Sequence, residues 1–546
     1  MTASSLRPVA LDDVTVAYGA RTVISDLSLT FAPGRRTALV GENGSGKSTL
    51  LHAVAQRLPK TAVVMGTITA PKDLVMVGQE PPFRDEWTVA EVRTRTLAPL
   101  QRLLDHLEIL ADHLDDPVAA QRHAQILERA VATDAWDAGR RAQEAAERLG
   151  LGGLDETRPV GALSGGQRMR LALAGVMTTR PSAVLLDEPT NHLDDDALGI
   201  LTEFLTTLPG VVLVASHDRV LLDEVCTDLV DLDPSEFGTD GLGGRRFNGG
   251  WSVYETKRNA DRARWEQTWL AQQDELRELR RATQVGESDV ARGRGPRDND
   301  KFVHSFKGER VQSAVARRRR DAERRLAAAE AAQVAKPRPV LHLSAPVTTS
   351  TGASIRVRDL RVDDDTSTAP RLSVSKLDVA PGEHLLVTGG NGVGKSTLLG
   401  VLSGRIAPSA GTVDVAARRV AELEQDVHFE DPSRSPAYVW EQAFGEEPDV
   451  VLRELGLVRP ADLQRPIGLL SVGQRRRLGL ALVLASRPDL LLLDEPTNHL
   501  SLGLASELED AVGESTATIV VASHDRWLRR RWDAAHLRLE VGSGRG

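Results

Sequence analysis

The sequence predicts an α/β protein in which one domain occurs twice, with a long helical hairpin between the two copies. Glycine-rich segments of the form G-x-x-x-x-G-K-[ST] begin at Gly41 and at Gly389. In both halves, short apolar runs that suit buried parallel strands alternate with helical stretches. A charged segment with helical periodicity separates the halves. We therefore expect domains at 6–250 and 353–540 and a hairpin linker at 251–340.

The spacing of equivalent residues shows that the first copy is longer than the second. Gln79 and Gln425 lie 346 positions apart, whereas Ser164 and Ser471 lie 307 positions apart. The first copy therefore holds 39 additional residues between Gln79 and Ser164. Leucines recur there at helical spacing, which predicts a helical hairpin inserted at about 97–136.

Composition excludes several classes of protein. Apolar runs in the 546 residues stay far below the roughly 20 that a membrane span needs, and no signal-peptide pattern precedes Pro8. We therefore expect a cytoplasmic protein. The single cysteine, Cys226, excludes internal disulfides and cysteine-based zinc or iron–sulfur sites, and we interpret it as a small buried apolar residue.

Charge is distributed unevenly along the chain. The net charge is −9, but residues 251–336 hold 20 Lys and Arg against 14 Asp and Glu, a net charge of +6. The rest of the chain therefore carries −15. One segment is therefore basic within an otherwise acidic protein.

The two glycine-rich segments have the chemistry of a phosphate-binding loop. Glycines let backbone N–H groups surround a polyphosphate, the lysine reaches the terminal phosphates, and the following serine ligates Mg²⁺. Both copies follow apolar runs that supply the required strand. The residues expected to hold ATP are Gly41, Glu42, Asn43, Gly44, Ser45, Gly46, Lys47, Ser48 and Thr49, and Gly389, Gly390, Asn391, Gly392, Val393, Gly394, Lys395, Ser396 and Thr397.

Polar residues at the ends of later apolar runs complete a hydrolytic site. A strand-end aspartate suits the Mg²⁺ shell, and the glutamate after it can orient and deprotonate the attacking water. An isolated Asp-Glu pair more often only ends a strand, and a lone histidine can be structural, but repetition behind both phosphate loops favours catalysis. The candidates are Asp187 and Asp494 with Ser48 and Ser396 for the metal, Glu188 and Glu495 for water, His217 and His524 for the γ-phosphate, and Gln79 and Gln425 as sensors of metal and water.

Leu163–Gln167 and Leu470–Gln474 resemble the signature of ATP-binding-cassette (ABC) ATPases. The resemblance covers both copies and implies that the cassettes close head to tail on two ATPs. Lys47, Glu188 and His217 would then face Ser471, Val472, Gly473 and Gln474, and Lys395, Glu495 and His524 would face Ser164, Gly165, Gly166 and Gln167. A helix N-terminus at each signature offers N–H groups to a γ-phosphate, so closure requires the triphosphate. Val472 departs from the usual glycine, and Tyr18, which suits stacking on adenine, has no aromatic counterpart.

Two tandem cassettes without a membrane domain, an inserted helical arm and a charged linker together resemble the ABC-F family. Phe247–Tyr254 is similar to that family's stretch at the linker start, and Asn191-His192-Leu193 and Asn498-His499-Leu500 fit it as well. The resemblance implies a monomer with paired cassettes that associates in the cytoplasm with the 70S ribosome. Its linker is expected to reach rRNA and the P-site tRNA region.

The linker arginines are the expected ribosome contacts, since RNA is recognised largely through phosphates and shape. They are Arg292, Arg294 and Arg297 in a tip at about 284–307, and Arg317, Arg318, Arg319 and Arg320. From composition alone, a solvated charged hairpin is the preferred interpretation, and the resemblance to the ABC-F family is what favours ribosome contact.

Three roles remain open at this stage. The tip is 24 residues long, and the chain has 59 arginines but only 9 lysines. Both observations favour the branch of the family that protects ribosomes from macrolides or lincosamides. A housekeeping ABC-F translation factor is the first alternative. The ATPase subunit of a drug exporter is the second, although nothing except the basic hairpin lies between the cassettes.

Overall fold

The computed structural model describes residues 6–41, 44–190, 193–233, 244–284, 317, 319–337, 352–363, 370–390, 392–445, 451–498, 500 and 502–540. Two compact units make up the chain: one contains both cassettes, and the other contains most of the linker, Glu255–Arg338. The predicted α/β fold with two tandem cassettes is confirmed.

The first cassette has a small antiparallel sheet of order β2-β1-β4 and a main sheet of order β5-β6-β7-β3-β8-β9. The main sheet is parallel except for its edge strand β9. All residues of β6 and β7 are buried, as continuous apolar runs require when helices cover both faces. The strands are β1 Val9–Tyr18, β2 Arg21–Phe31, β3 Arg36–Val40, β4 Ala62–Thr69, β5 Val75–Val77, β6 Ala183–Asp187, β7 Val211–Ala215, β8 Asp228–Asp231 and β9 Arg245–Asn248.

Seven helices accompany these strands, and two of them form the inserted arm. The helices are α1 Lys47–Val54, α2 Val89–Ala111, α3 Pro117–Thr133, α4 Ala138–Arg148, α5 Gly165–Thr179, α6 Asp195–Thr207 and α7 Arg219–Val225. Thr88 and Glu91 form a capping box that begins α2, and Asp116 caps α3, where proline occupies the first turn. The arm has a small core of its own, separate from the cassette core, made by Leu100, Leu107, Ala130, Ala135 and Ala138.

The linker unit contains an antiparallel pair of helices. The first, α8, spans Trp251–Gln284, 34 residues and about 50 Å at 1.5 Å per residue; the second, α9, includes residues 319–331. The indole N–H of Trp265 donates to the Ala335 carbonyl at 2.9 Å. Gln272 bonds the backbone of Ala332 and Val334. The seam is therefore fixed by side chains that satisfy the backbone after α9. The tip lies outside the described residues apart from Gln284.

The second cassette repeats the architecture of the first. Its sheets have the orders β11-β10-β13 and β14-β15-β16-β12-β17, and the larger one is wholly parallel. Its strands are β10 Ser354–Val362, β11 Leu372–Val379, β12 His384–Thr388, β13 Ala410–Ala416, β14 Val420–Leu423, β15 Leu490–Asp494, β16 Thr518–Ala522 and β17 Ala535–Arg538. Its helices are α10 Lys395–Leu402, α11 Pro436–Phe444, α12 Val472–Ala485, α13 Leu502–Glu514 and α14 Arg526–Arg531. The single helix α11 stands where the first copy has its arm. None of the helices in the described part of the chain has the length and apolarity to cross a bilayer.

Candidate functional site

Each phosphate loop connects a buried strand to the helix that begins at its lysine. Gly41 and Gly46 have φ of 143° and 101°, which only glycine adopts readily. A Cβ on Gly41 would lie 2.6 Å from Ser45 Oγ. The side chain of Lys47 curls back so that Nζ donates to the Gly41 carbonyl at 2.8 Å. The loop therefore has the closed shape and the inward-pointing amine that a polyphosphate requires.

The second phosphate loop has the same geometry. Gly389 and Gly394 have φ of 151° and 98°, and Lys395 Nζ donates to the carbonyls of Gly389 and Gly390 at 2.9 and 3.2 Å. Lys395 Nζ also lies 3.8 Å from a carboxylate oxygen of Glu495. Three predicted loop residues, Glu42, Asn43 and Asn391, lie outside the described residues.

The predicted metal ligands come together at the carboxyl ends of β6 and β15. Ser48 Oγ donates to the Asp187 carboxylate at 3.1 Å. In the second cassette, burial raises the pKa of Asp494 and the Ser396 hydroxyl lowers it. Burial raises the pKa of Asp187, while its bond from Ser48 lowers it. Asp494 Oδ1 is buried and accepts no hydrogen bond from any described residue. Hydroxyl and carboxylate oxygens beside a phosphate loop are the ligands Mg²⁺ takes, so the residues fit this ion.

In the first cassette, the catalytic candidates Glu188 and His217 are in direct contact. The backbone N–H of His217 donates to Glu188 Oε2 at 3.2 Å, and the ring nitrogen His217 Nε2 lies 3.5 Å from Glu188 Oε1. Glu188 has φ of 51° and is held by its N–H bond to the Ala215 carbonyl at 2.7 Å. Burial raises the pKa of Glu188 to about 8, which suits a general base that works near neutral pH.

Glu495 and His524 repeat this contact in the second cassette at a shorter distance. The ring nitrogen His524 Nδ1 lies 2.8 Å from Glu495 Oε1, and the backbone N–H of His524 donates to Glu495 Oε2 at 3.3 Å. Glu495 has φ of 48°. The hydrogen bond that the His524 ring donates to the Glu495 carboxylate raises the pKa of His524 above its ordinary value. Each cassette therefore presents a carboxylate and a histidine as one unit beside its phosphate-loop lysine.

The remaining predicted nucleotide residues are placed by neighbouring elements. Gln79 and Gln425 are exposed and follow β5 and β14, the strands that pair with those ending in Asp187 and Asp494. Tyr18 ends β1 of the antiparallel sheet and is half-buried. The structure thus brings the glutamines to the same edge of each sheet as Asp187 and Asp494. The roles of the glutamines and of Tyr18 stay predictions.

Both signatures lie at helix N-termini. Ser164 caps α5 and Ser471 caps α12, and in each a glutamine three residues later, Gln167 or Gln474, completes a capping box. Gly165, Gly166 and Gly473 lie within these first turns, and Val472 is exposed. The pairing of each signature with the opposite phosphate loop stays a prediction.

The cassettes meet through α7 and α14, the helices that follow His217 and His524, a contact that sequence reasoning missed. Arg219 is 1% exposed and donates to Glu509 and, at 2.9 Å, to Asp525. Arg526, 307 positions after Arg219, lies 3.6 Å from Asp218. The Ser-His-Asp-Arg repeat contained this signal, because the Asp and Arg of each copy pair with the Arg and Asp of the other.

The linker arginines that the structure describes are on the surface. Arg317 and Arg320 are exposed, and Arg319 is 61% exposed and pairs with Glu323 one helical turn away. The other predicted ribosome contacts, Arg292, Arg294, Arg297 and Arg318, lie outside the described residues. The geometry is therefore compatible with an anionic partner but identifies none.

This chain is similar in sequence and in fold to known ATP-binding-cassette proteins. The family model described as ABC transporter matches residues 24–191 and 372–498. The tylosin resistance ATP-binding protein TlrC of Streptomyces fradiae is 38% identical over 99% of this chain and 99% of its own length. The energy-dependent translational throttle protein EttA of Mycobacterium tuberculosis is 30% identical over 95% of this chain and 88% of its own. The solved structure of the RNase-L Inhibitor shares the fold, with a TM-score of 0.56 at 16% identity over 95% of this chain and 85% of that one.

Proposed function

Since the chain belongs to the ABC family of ATPases and to its ABC-F group, we propose that it uses ATP to bind the bacterial ribosome and protect it from a macrolide- or lincosamide-type antibiotic. The observation that carries this proposal is the reach of the likeness to TlrC. It spans 99% of both chains, and therefore includes the arm and the linker as well as the cassettes that any ABC ATPase has. TlrC is named for tylosin resistance.

The cassettes supply the ATP-driven part of the cycle. Each phosphate-loop lysine would bind the terminal phosphates of one ATP, and the N–H groups of the opposite signature would complete the γ-phosphate site. Glu188 and Glu495 would take the proton of the attacking water, and His217 and His524, which contact these carboxylates, would donate to the γ-phosphate. Bound Mg²⁺, held by the serine–aspartate pairs at the ends of β6 and β15, would neutralise charge on the phosphates. The γ-phosphate would connect the phosphate loop of one cassette to the signature of the other, so its loss on hydrolysis would let the cassettes separate.

The linker supplies an anion-binding surface. Its described arginines pair mainly with acidic residues of the same helix, as Arg319 does with Glu323 and Arg324 with Asp321. Exposed pairs of this kind contribute about 0–1 kcal/mol. RNA phosphates can therefore take their place at little cost, and in the closed state the linker would extend to the tRNA and peptidyl transferase region and displace the drug.

A trapping experiment tests ribosome binding directly. The Glu188→Gln/Glu495→Gln double variant keeps both nucleotide sites but lacks both bases, so it is expected to co-sediment with 70S particles in sucrose gradients containing ATP. The matched control, Lys47→Ala/Lys395→Ala, lacks the phosphate-binding amines and is expected to remain at the top. Absence of the double variant from ribosomes at saturating ATP would contradict the proposal.

Salt dependence tests the role of the linker. Binding through RNA phosphates weakens steeply as salt rises, because counterions are released. The Arg317–Arg320→Ala variant, made in the trapped background, is expected to bind more weakly and with a shallower salt slope. Replacing the exposed cassette arginines Arg358 and Arg434 by alanine provides the control. An unchanged affinity and slope in the linker variant would exclude these arginines as contacts.

Drug susceptibility separates protection from the alternative roles. Expression in a sensitive bacterium is expected to raise the inhibitory concentration of macrolides or lincosamides but not of a drug that acts elsewhere, and only with intact Glu188 and Glu495. The likeness to EttA favours a general translation factor as the second candidate, for which ribosome trapping would occur without any change in susceptibility. Sedimentation with membranes instead of ribosomes would indicate an exporter subunit.

A further inference from the structure

A buried arginine of the second cassette donates to the backbone around the candidate catalytic glutamate, and a methionine occupies the equivalent position in the first cassette. Arg476, in the second turn of α12, is 3% exposed. Its Nη2 donates to the backbone carbonyls of Asp494 and Glu495, each at 2.6 Å, and its Nη1 donates to the carbonyl of Gln425. One guanidinium therefore contacts the metal-ligand candidate, the base and the glutamine sensor.

The backbone at Glu495 needs such support. Its φ of 48° lies in the left-handed region, which costs a non-glycine residue roughly 1–3 kcal/mol. The peptide units before and after this residue both accept a hydrogen bond from Arg476, and the Glu495 N–H bonds to the Ala522 carbonyl at 2.8 Å. Three hydrogen bonds thus hold the backbone of Glu495, and this backbone sets the direction of the Glu495 carboxylate.

The first cassette lacks this clamp. Met169 lies 307 positions before Arg476, at the same place relative to the signature, and is 1% exposed. Its thioether cannot donate to the carbonyls of Asp187 and Glu188, although Glu188 has nearly the same φ of 51°. The two sites therefore differ in what positions the base, independently of the valine in the second signature.

The position of Arg476 in the chain links this clamp to the signature helix. Ser471 caps the same helix five residues earlier. A shift of α12 along its axis would move the guanidinium against three carbonyls at once. Displacing a catalytic group by about 1 Å can slow a reaction by about 100-fold.

We propose that Arg476 is a positioning residue for Glu495 and Gln425, which makes hydrolysis in the second cassette depend on the seating of α12. This role rests on ATP hydrolysis alone and not on the proposed ribosome function. Arg476 acts through the backbone of the catalytic residues and does not itself touch the reacting atoms.

The test measures each site separately in purified protein without ribosomes. Arg476→Met copies the residue of the first cassette and is introduced into Glu188→Gln, where turnover reports on Glu495, and into Glu495→Gln, where it reports on Glu188. We expect kcat to fall at least tenfold in the first background, with KM for ATP within threefold. The loss in the first background is expected to exceed that in the second at least tenfold.

Two further variants keep the test decisive if Arg476→Met fails to fold. Arg476→Lys keeps a charged donor and is expected to give a kcat between those of the parent and Arg476→Gln, which keeps a shorter neutral donor. A structural role alone would lower the thermal midpoint without this ordering of kcat values. Equal losses in both backgrounds, a change in KM alone, or an Arg476→Gln kcat within twofold of the parent would overturn the proposal.

Discussion

Replacing Arg219 by alanine removes the central ion pair between the cassettes. Its guanidinium is 1% exposed and donates to Glu509, Asp525 and Ser506. Breaking a buried pair by removing one partner costs about 3–5 kcal/mol, because the remaining charge stays desolvated. Burial already raises the pKa of Glu509, and Arg219 opposes that shift. We therefore expect Arg219→Ala to lower the free energy of unfolding by about 3–5 kcal/mol at pH 7.5.

Arg526→Ala is the matched control, because it removes the equivalent arginine of the other copy. The Arg526 guanidinium lies 3.6 Å from Asp218 and 3.9 Å from Glu224, and Asp218 keeps its hydrogen bond from the Leu221 N–H. A weaker pair whose carboxylate retains a donor predicts a loss of about 1–2 kcal/mol. The difference between the two variants is thus expected to be about 1 kcal/mol or more.

Urea unfolding followed by tryptophan fluorescence measures both losses, and Trp527, whose ring lies 5.6 Å from the Arg219 guanidinium, reports locally. Adding Glu509→Gln to Arg219→Ala is expected to recover about 1 kcal/mol or more, because it removes a buried charge that is left with only the longer, 3.7 Å pair to Arg531 among the described residues. The Arg219→Ala loss should also shrink as pH falls from 7.5 to 5.5, since a buried carboxyl with a raised pKa takes up its proton at a higher pH than the same carboxyl does in the unfolded chain. Equal losses in both variants, or no recovery in the double variant, would refute the reasoning.

The remaining predictions concern the catalytic pairs and the cysteine. Glu188→Gln and Glu495→Gln are expected to slow ATP turnover to different degrees, because the two sites differ in their supporting residues; equal slowing in a phosphate-release assay would reject inequality. The pKa of His524 is raised by Glu495, so its stabilising effect is present below pH 6.5 and is lost as pH rises through the raised value. His524→Gln should therefore lower the thermal midpoint more at pH 6 than at pH 8.5, and the opposite order would exclude a charged pair. Burial raises the pKa of Cys226 to about 12, so a disulfide-exchange reagent at pH 8 should modify no thiol in the native chain and one after denaturation; rapid native labelling would contradict this burial.

The phosphate loops and the strands of the hydrolytic sites could be predicted because their determinants are local. Glycines with positive φ precede Lys47 and Lys395, and uninterrupted apolar runs end in Asp187 and Asp494. Burial of the single cysteine was also predicted and is confirmed. In each case a few adjacent residues determine both the backbone conformation and the functional groups presented there.

Contacts between distant segments could not be predicted in this way. Arg219 and Glu509 lie 290 positions apart, and their pairing depends on how one cassette docks on the other. Arg476 follows a recognised signature but points away from it, toward carbonyls whose position only the fold determines. Alignment of the two copies would have marked both arginines, Arg476 by its difference from Met169 and Arg219 by its identity with Arg526.

Because only the first cassette carries the arm, the duplication shows which part of the cassette can vary during evolution. Its helices α2 and α3 close on their own leucine and alanine core, and the second cassette completes an equivalent fold with the short helix α11 in that place. One copy thus demonstrates that the catalytic scaffold does not need the hairpin. Selection can consequently reshape the outer surface of the arm for another molecule, while the ATPase beneath it is left intact.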